Sequence, residues 1–170
     1  MLNTDLLQVF DFLILPCINP YGYVHNTREN SEGVDINRSF ESDNTPEAVI
    51  VKRILHGRRF DLFIEFHEDW EFSGFYLFEE RRDGELIGPE IIRNVEKICP
   101  IKRDGTIDDF PVSNGVLSPD VETEDFGYQA MHLYVYKIHS VPVTASILIP
   151  PIIFDAYGRV HRQCSYPHQW

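Results

Sequence analysis

Two arginines and an asparagine fall close together in a polar stretch near the start of the sequence. Arg28, Asn37 and Arg38 lie within "NTRENSEGVDINRSF". A guanidinium presents a planar fork of donors that suits a carboxylate or a developing oxyanion, and an asparagine amide adds a donor and an acceptor. The residue types therefore predict an anion-binding loop. The alternative is a solvated loop in which Asp35 and Glu32 pair with the arginines.

A histidine followed by two acids stands near the end of the segment "RFDLFIEFHEDW". Alternating apolar and polar residues predict a strand here, with His67, Glu68 and Asp69 at its polar carboxyl end. Ligands of open α/β sheets bind outside such strand ends, and a neutral imidazole is a common zinc ligand. Taken alone, His67 is better interpreted as a surface histidine paired with Glu68 or Asp69, because the sequence has neither HExxH nor a cysteine pair.

The segments around these residues alternate between strand and helix patterns, which predicts an α/β layered fold. The predicted strands are residues 12–18, 60–67, 74–79 and 141–150, and the predicted helices are residues 46–56, 88–98 and 154–163. Residues 129–139 fit either a helix or a strand. Residues 26–44 and the acidic stretch 103–127 are predicted as loops, and the second is long enough for a lid or a mobile insertion.

The composition is that of a globular chain of 170 residues, 43% of them hydrophobic and 25% charged, with a net charge of −12. Because no basic stripe is present, nucleic acids and anionic membranes are not expected as partners. The apolar run at residues 6–18 contains Asp11 and follows no basic residue, so neither a membrane span nor a signal peptide is predicted. Cys17, Cys99 and Cys164 lack metal-ligand spacing, which favours reduced thiols and a cytoplasmic protein.

The order of these motifs resembles the M14 family of zinc carboxypeptidases. In that family's order, "NPYG" is followed by an arginine, then by "GVDINRSF", a helix begun by proline, and a strand ending "FHED". The stretch "HEDWEFSGFYLFE" is similar to the bacterial branch of the family. The resemblance covers residues 13–78 well and resumes weakly over residues 142–161. It matches Asn19, Pro20 and Gly22 to the family's Asn-Pro-x-Gly turn.

The resemblance implies roles for four residues. Arg28 corresponds to the arginine that polarises the scissile carbonyl, Asn37 and Arg38 to the pair that binds the substrate's terminal carboxylate, and His67 to a zinc ligand. The implied reaction removes a C-terminal residue from a peptide, using zinc-bound water and a glutamate base. An amidase or deacylase that acts on acyl-amino acids on the same scaffold is an alternative within the enzymes.

Two parts of the family pattern are missing from the sequence. The family's first zinc ligands form a His-x-x-Glu motif before the turn, but the eighteen residues before Asn19 contain no histidine. Near the end, "SILIPP" puts Leu148 where the family has its glutamate base, and leucine cannot accept a proton. We therefore expect zinc binding to be weak or absent in this chain and its catalytic activity to be impaired.

Taken together, the sequence predicts a three-layer α/β/α sandwich with a mostly parallel mixed sheet, incomplete at its N-terminus. Residues 1–170 are expected to form a single partial catalytic domain of the metallocarboxypeptidase type. The expected partner is a peptide or an acyl-amino acid with a free carboxylate. The alternative from another functional class is a non-catalytic carboxylate-binding or interaction module on the same fold. Loss of leading strands would expose a sheet edge, so we expect marginal stability.

Overall fold

The structure, a computed structural model, describes residues 5–69, 71–82, 84–119, 130–139, 142–149, 152–154 and 160–162, with the backbone alone at 148–149, 152–154 and 160–162. Its helices are α1 (Pro20–His25), α2 (Pro46–Leu55), α3 (Gly88–Val95) and α4 (Met131–Ile138). Its strands are β1 (Phe63–Glu68), β2 (Tyr76–Arg81), β3 (Thr106–Ile107), β4 (Phe110–Pro111), β5 (Val116–Leu117), β6 (Val143–Ile149), β7 (Ile152–Phe154) and β8 (Val160–Arg162). The chain divides into two compact units, Met1–His56 and Gly57–Trp170.

The predicted strand at residues 12–18 is wrong. This segment has no regular secondary structure and pairs with no described residue in a β-ladder. Phe12, Leu13 and Ile14 are exposed. Apolar β-branched and aromatic residues favour a strand only where a neighbouring strand supplies hydrogen-bond partners and a packing surface. The turn predicted at Asn19 and Pro20 is instead the start of helix α1.

The predicted helix at residues 46–56 is confirmed as α2. The hydroxyl of Thr45 accepts a hydrogen bond from the Ala48 amide, and Pro46 occupies the first turn. Gly57 follows the helix with a φ of +72°, a conformation that glycine adopts without steric cost. On this helix Leu55 is buried, whereas Ile50 is exposed.

A four-stranded mixed sheet forms the centre of the second unit. Its order is β1-β6-β2-β5. Strand β6 pairs parallel with β1 and antiparallel with β2, and β2 pairs parallel with β5. Two of these three pairings are parallel, so the predicted mostly parallel mixed sheet is confirmed.

The two faces of this sheet differ in chemistry. One face packs against α3, in an apolar cluster made of Phe75, Leu77, Ile92, Val116 and Ile147. The other face carries polar side chains from β1, β2 and β6, and His132 of α4 contacts two of them. Helices on opposite faces of one sheet give the three layers that the sequence predicts. The predicted helix at residues 88–98 ends earlier, at Val95, and Ile98 beyond it is exposed.

Strand β1 stands at the edge of the sheet. The predicted alternation holds, because Glu65 and His67 lie on the face nearer α4 and Ile64 and Phe66 on the opposite face. The apolar side is nevertheless exposed, and 68% of the Phe66 surface is accessible. An edge strand that shows apolar side chains is a site at which further polypeptide can pair.

Three further predictions of local structure are settled or corrected by the second unit. Residues 103–119 are not a structureless loop, because they contain the β3–β4 hairpin and strand β5. Residues 120–127 of the same predicted loop lie outside the described residues. The ambiguous segment 129–139 is helical as α4. The prediction of a last helix at residues 154–163 is wrong for the residues that the structure describes, because β7 pairs antiparallel with β8 there.

None of the helices in the described ranges combines the length and the apolarity that crossing a bilayer requires.

Candidate functional site

The backbone around Arg28 is held by the side chain of Asn19. The side-chain oxygen of Asn19, Oδ1, caps α1 by accepting a hydrogen bond from the Gly22 backbone amide at 2.9 Å. Its amide nitrogen donates to the carbonyl oxygens of Arg28 and Glu29 at 3.0 and 3.2 Å. A Cβ at Gly22 would lie 2.3 Å from the Asn19 amide nitrogen and 2.4 Å from the Thr27 carbonyl oxygen, so glycine is required there. The Asn-Pro-x-Gly motif therefore ties α1 to the segment that carries Arg28.

The loop that follows Arg28 is closed by a buried asparagine. The side-chain oxygen of Asn30 accepts from the backbone amides of Glu32 and Val34, both at 3.0 Å. Its side-chain nitrogen donates to Glu47 of α2 at 3.1 Å. These bonds satisfy the polar groups of a tight turn and connect the turn to a helix. The loop is consequently held by side chains of its own unit.

Asp35 brings the two arginines of this loop together. Its carboxylate lies 2.5 Å from Nε of Arg28 and 3.6 Å from Nε of Arg38. The arginine side chains are 62% and 56% exposed, whereas that of Asp35 is 19% exposed. The pairing of Asp35 with the arginines, which the solvated-loop alternative contained, is therefore observed, and it coexists with the exposure that an anion-binding role needs.

Asn37 and Arg38 lie on the short 3-10 turn Ile36–Arg38. Buried residues anchor both ends of this turn, Ile36 as its first residue and Phe40 after it. The hydroxyl of Ser39 donates to the Ile36 carbonyl oxygen at 2.7 Å. The structure thus places Arg28, Asn37 and Arg38 in one loop region of the first unit, while His67 belongs to the second unit.

His67 lies one residue before the end of β1 and beside a buried carboxylate. Its Nε2 is 3.1 Å from Oε1 of Glu65, two residues earlier on the same face. The ring is not aligned for a hydrogen bond, so Nε2 is buried without a hydrogen-bond partner. His67 was expected to pair with Glu68 or Asp69, but its ring lies beside Glu65 instead.

Glu65 is the centre of a network that sequence reasoning missed. Its Oε1 accepts from Nδ1 of His132 on α4 at 2.8 Å and from the hydroxyl of Ser146 on β6 at 2.6 Å. On the other side of His132, Nε2 lies 3.6 Å from Oε1 of the buried Glu80. The hydroxyl of Thr144 donates to Oε2 of Glu80. We call Glu65, His132, Ser146, Glu80 and Thr144 the Glu65 network.

The pKa values in this network move in directions that favour one charged pair. Burial raises the pKa of Glu65, but the hydrogen bond and charge of His132 and the proximity of His67 outweigh burial and hold it well below its ordinary value. Burial lowers the pKa of His132, yet Glu65 and Glu80 together raise it. Burial raises the pKa of Glu80, which favours its neutral form. These directions favour an ionised Glu65 opposite a protonated His132.

Leu148 pairs with His67 in the parallel register of β1 and β6. The backbone therefore places Leu148 directly beside His67. On its other side Leu148 pairs with Tyr76 of β2, whose hydroxyl donates to Asp69. The side chain of Leu148 lies outside the described residues, so its orientation stays a prediction.

The resemblance implies a zinc ion near His67. A catalytic zinc ordinarily has three protein ligands and a water. Within the described ranges, no three His, Cys, Asp or Glu side chains are grouped so that they could hold a metal ion. A carboxylate beside the ring is a common environment for a ligating histidine, so His67 fits the role of one ligand. The described residues therefore fit a single ligand of a metal site and not a complete site.

The fold is similar to those of three solved structures with peptidase names. A putative metallopeptidase from Shewanella amazonensis has a TM-score of 0.65 and 21% identity, and the match covers 80% of this chain and 54% of that chain. A second, from Shewanella denitrificans, has a TM-score of 0.66 and 20% identity, and the match covers 80% of this chain and 51% of that chain. A metallo-carboxypeptidase from Burkholderia cenocepacia has a TM-score of 0.53 and 20% identity, and the match covers 81% of this chain and 35% of that chain.

These similarities establish the fold, and the chain spans about half the length of the Shewanella proteins it resembles. Residues 2–50 match a family described as a protein of unknown function, DUF2817. No curated protein matches the sequence significantly.

Proposed function

We propose that this chain is part of a metallocarboxypeptidase-type hydrolase that removes C-terminal residues from peptides. The observation that carries the proposal is the Asp35-centred arginine loop, on a chain whose fold is similar to metallopeptidase structures. The Asp35 carboxylate accepts a hydrogen bond from Nε of Arg28 and lies 3.6 Å from Nε of Arg38, while both guanidinium groups stay more than half exposed. A pair of exposed guanidinium groups and a nearby amide suits a peptide carboxylate.

In this proposal each site residue has one task. Arg38 and Asn37 bind the terminal carboxylate of the substrate, and Arg28 donates to the carbonyl oxygen as negative charge develops on it. His67 serves as one ligand of a zinc ion, whose chemistry in such enzymes is to activate a water molecule. A peptide or an acyl-amino acid with a free carboxylate would satisfy the arginine loop equally well, so an amidase or deacylase reaction belongs to the same proposal.

The test is release of a C-terminal residue by the purified chain. The chain would be incubated with zinc and a peptide that has a free C-terminus, and products would be measured by mass spectrometry. Zinc-dependent release that is lost in Arg28→Gln and in His67→Gln, and retained in the surface variant Arg93→Gln, supports the proposal. Release that does not depend on Arg28 or on zinc contradicts it.

A second candidate is a carboxylate-binding module without catalysis. Leucine at the position in register with His67 favours it, because a leucine side chain cannot act as a general base. This candidate predicts that a peptide with a free C-terminus binds the chain, that the same peptide as a C-terminal amide binds weakly, and that neither is hydrolysed with zinc present.

A further inference from the structure

The environment of Glu65 is more elaborate than packing requires. Its side chain is 10% exposed, and three donor-bearing groups converge on its Oε1, from His132, Ser146 and His67. A buried carboxylate is costly unless hydrogen bonds and a charge compensate it. His132 and Ser146 supply that compensation from α4 and β6. Glu65 is thus held in place from two other elements, independently of His67.

The ring of His67 faces this anchored carboxylate. The two residues are separated by one position on β1, so both side chains project from the same face of the sheet. Nε2 of His67 is buried, 3.1 Å from Oε1, and lacks a hydrogen-bond partner. A buried ring nitrogen at that distance from a carboxylate oxygen is most favourable as a protonated donor, which a small rotation of the ring aligns.

We propose that Glu65 is a positioning residue that holds His67 with Nε2 protonated and Nδ1 as its unprotonated nitrogen. The inference deepens the proposed function and rests on it for the role of His67. A neutral imidazole has one donor and one acceptor nitrogen, and the partner of one nitrogen decides which atom is available at the other. By fixing Nε2, the carboxylate leaves Nδ1 as the atom that binds a ligand. The anchors on α4 and β6 make this orientation a property of the fold.

Long-range ¹H–¹⁵N NMR of the imidazole rings in the full chain tests this inference without any bound metal. Spectra would be recorded at about pH 9, where imidazoles are ordinarily neutral, and the His67 signals would be identified by their loss in His67→Gln. We expect the Nε2-protonated form to dominate by about tenfold or more, because a charged acceptor strengthens the hydrogen bond. Dominance of the Nδ1-protonated form in the wild-type chain overturns the proposal, even if no variant folds.

Two variants sharpen the result. Glu65→Gln removes the charge at nearly constant shape, and we expect it to abolish the excess of the Nε2-protonated form. Glu68→Gln is the matched control, because it makes the same substitution on the same strand at an exposed position of the other face. Glu68→Gln should leave the tautomer ratio of His67 unchanged. An unchanged ratio in Glu65→Gln contradicts the positioning role.

The outcome is separable from that of the proposed function. A protonated Nε2 that depends on Glu65, in a chain that shows no preference for free carboxylates, leaves the positioning role standing and removes the carboxypeptidase proposal. A chain that hydrolyses peptides but has an Nδ1-protonated His67 leaves the carboxypeptidase proposal standing and removes the positioning role.

Discussion

The arginine loop and the Glu65 network hold charged side chains in opposite ways. In the loop, Arg28 and Arg38 are more than half exposed and share one carboxylate, and the side chains of Asn19 and Asn30 hold the backbone. In the network, the charged groups are largely buried and neighbouring side chains satisfy them. Exposed ion pairs contribute little to stability, whereas removing one member of a buried pair is costly. Substitutions in the loop should therefore change binding first, and substitutions in the network should change stability first.

The largest effect is expected from His132→Ala. It removes the charged partner of Glu65 and leaves two buried carboxyl groups, those of Glu65 and Glu80, without the imidazole between them. We expect a loss of about 3 kcal/mol in the free energy of unfolding. Urea denaturation followed by circular dichroism measures it. His56→Ala at the exposed end of α2 is the control and should cost less than about 0.5 kcal/mol; equal losses in the two variants would show that the network contributes nothing.

Gly22→Ala should have the second-largest effect. The new methyl group would collide with the Asn19 side chain and the Thr27 carbonyl, so the bonds that hold the backbone at Arg28 must break. We expect a loss of about 2 kcal/mol in the free energy of unfolding and weaker carboxylate binding. Gly33→Ala is the matched control, because Gly33 has a positive φ but open space around it. Backbone strain alone predicts about 1 kcal/mol there, and a larger loss than in Gly22→Ala would refute the crowding argument.

Arg38→Gln should change binding without changing stability. It removes one guanidinium from the loop, and we expect the affinity for a peptide with a free C-terminus to fall about tenfold. The free energy of unfolding should change by less than about 0.5 kcal/mol, because the side chain is exposed. Isothermal titration calorimetry and urea denaturation measure the two quantities. Arg93→Gln, at an exposed arginine of α3 that pairs with Glu90, should alter neither; weaker binding in that variant would indicate a non-specific loss of positive charge.

A smaller effect is expected from pH, and it has a definite sign. The pKa of His132 is raised above its ordinary value of 6.5 by Glu65 and Glu80, against the effect of burial. The contribution of His132 to the free energy of unfolding is therefore complete below about pH 6.5, and it is lost as the pH rises through the folded-state pKa of His132. We expect the urea midpoint to fall between pH 6 and pH 9 in the wild-type chain. The same titration of His132→Asn should be flatter, and an equal slope would assign the pH dependence to other groups.

At low pH the carboxylates of the network act in opposite directions. The lowered pKa of Glu65 contributes stability above its ordinary value of 4.5, and this contribution is lost only as the pH falls through the depressed folded-state value. The raised pKa of Glu80 contributes stability below 4.5 that is lost as the pH rises. The two effects lie on opposite sides of pH 4.5, and the loss of the Glu80 contribution adds to that of His132 as the pH rises.

The features that the sequence predicted correctly are specified by neighbouring residues. Thr45, Pro46 and Gly57 start and end α2 through caps that act within one turn. The alternation around His67 predicts β1 and places Glu65 on the same face. The solvated-loop alternative contained the pairing of Asp35 with the arginines, because all three residues lie within one short loop.

The features that the sequence did not reveal depend on distant residues. Glu65 and His132 are 67 positions apart, and the segment that carries His132 fits a helix or a strand equally well. The apolar residues 12–18 have strand propensity but no described strand pairs with them. Residues 103–119 look like a polar loop, yet β5 is held in the sheet by its pairing with β2. In each case a tertiary partner decides the structure, and the local pattern does not name that partner.

The central claim is that the arginine loop recognises a free carboxylate. Two peptides of identical sequence, one ending in a carboxylate and one in an amide, would be titrated into the ¹⁵N-labelled chain, with the Nε–H signals of Arg28 and Arg38 followed by NMR. We expect the carboxylate peptide to shift both arginine signals and to bind about tenfold or more tightly than the amide. Equal affinity for the two peptides, or binding that leaves both arginine signals unchanged, would contradict it.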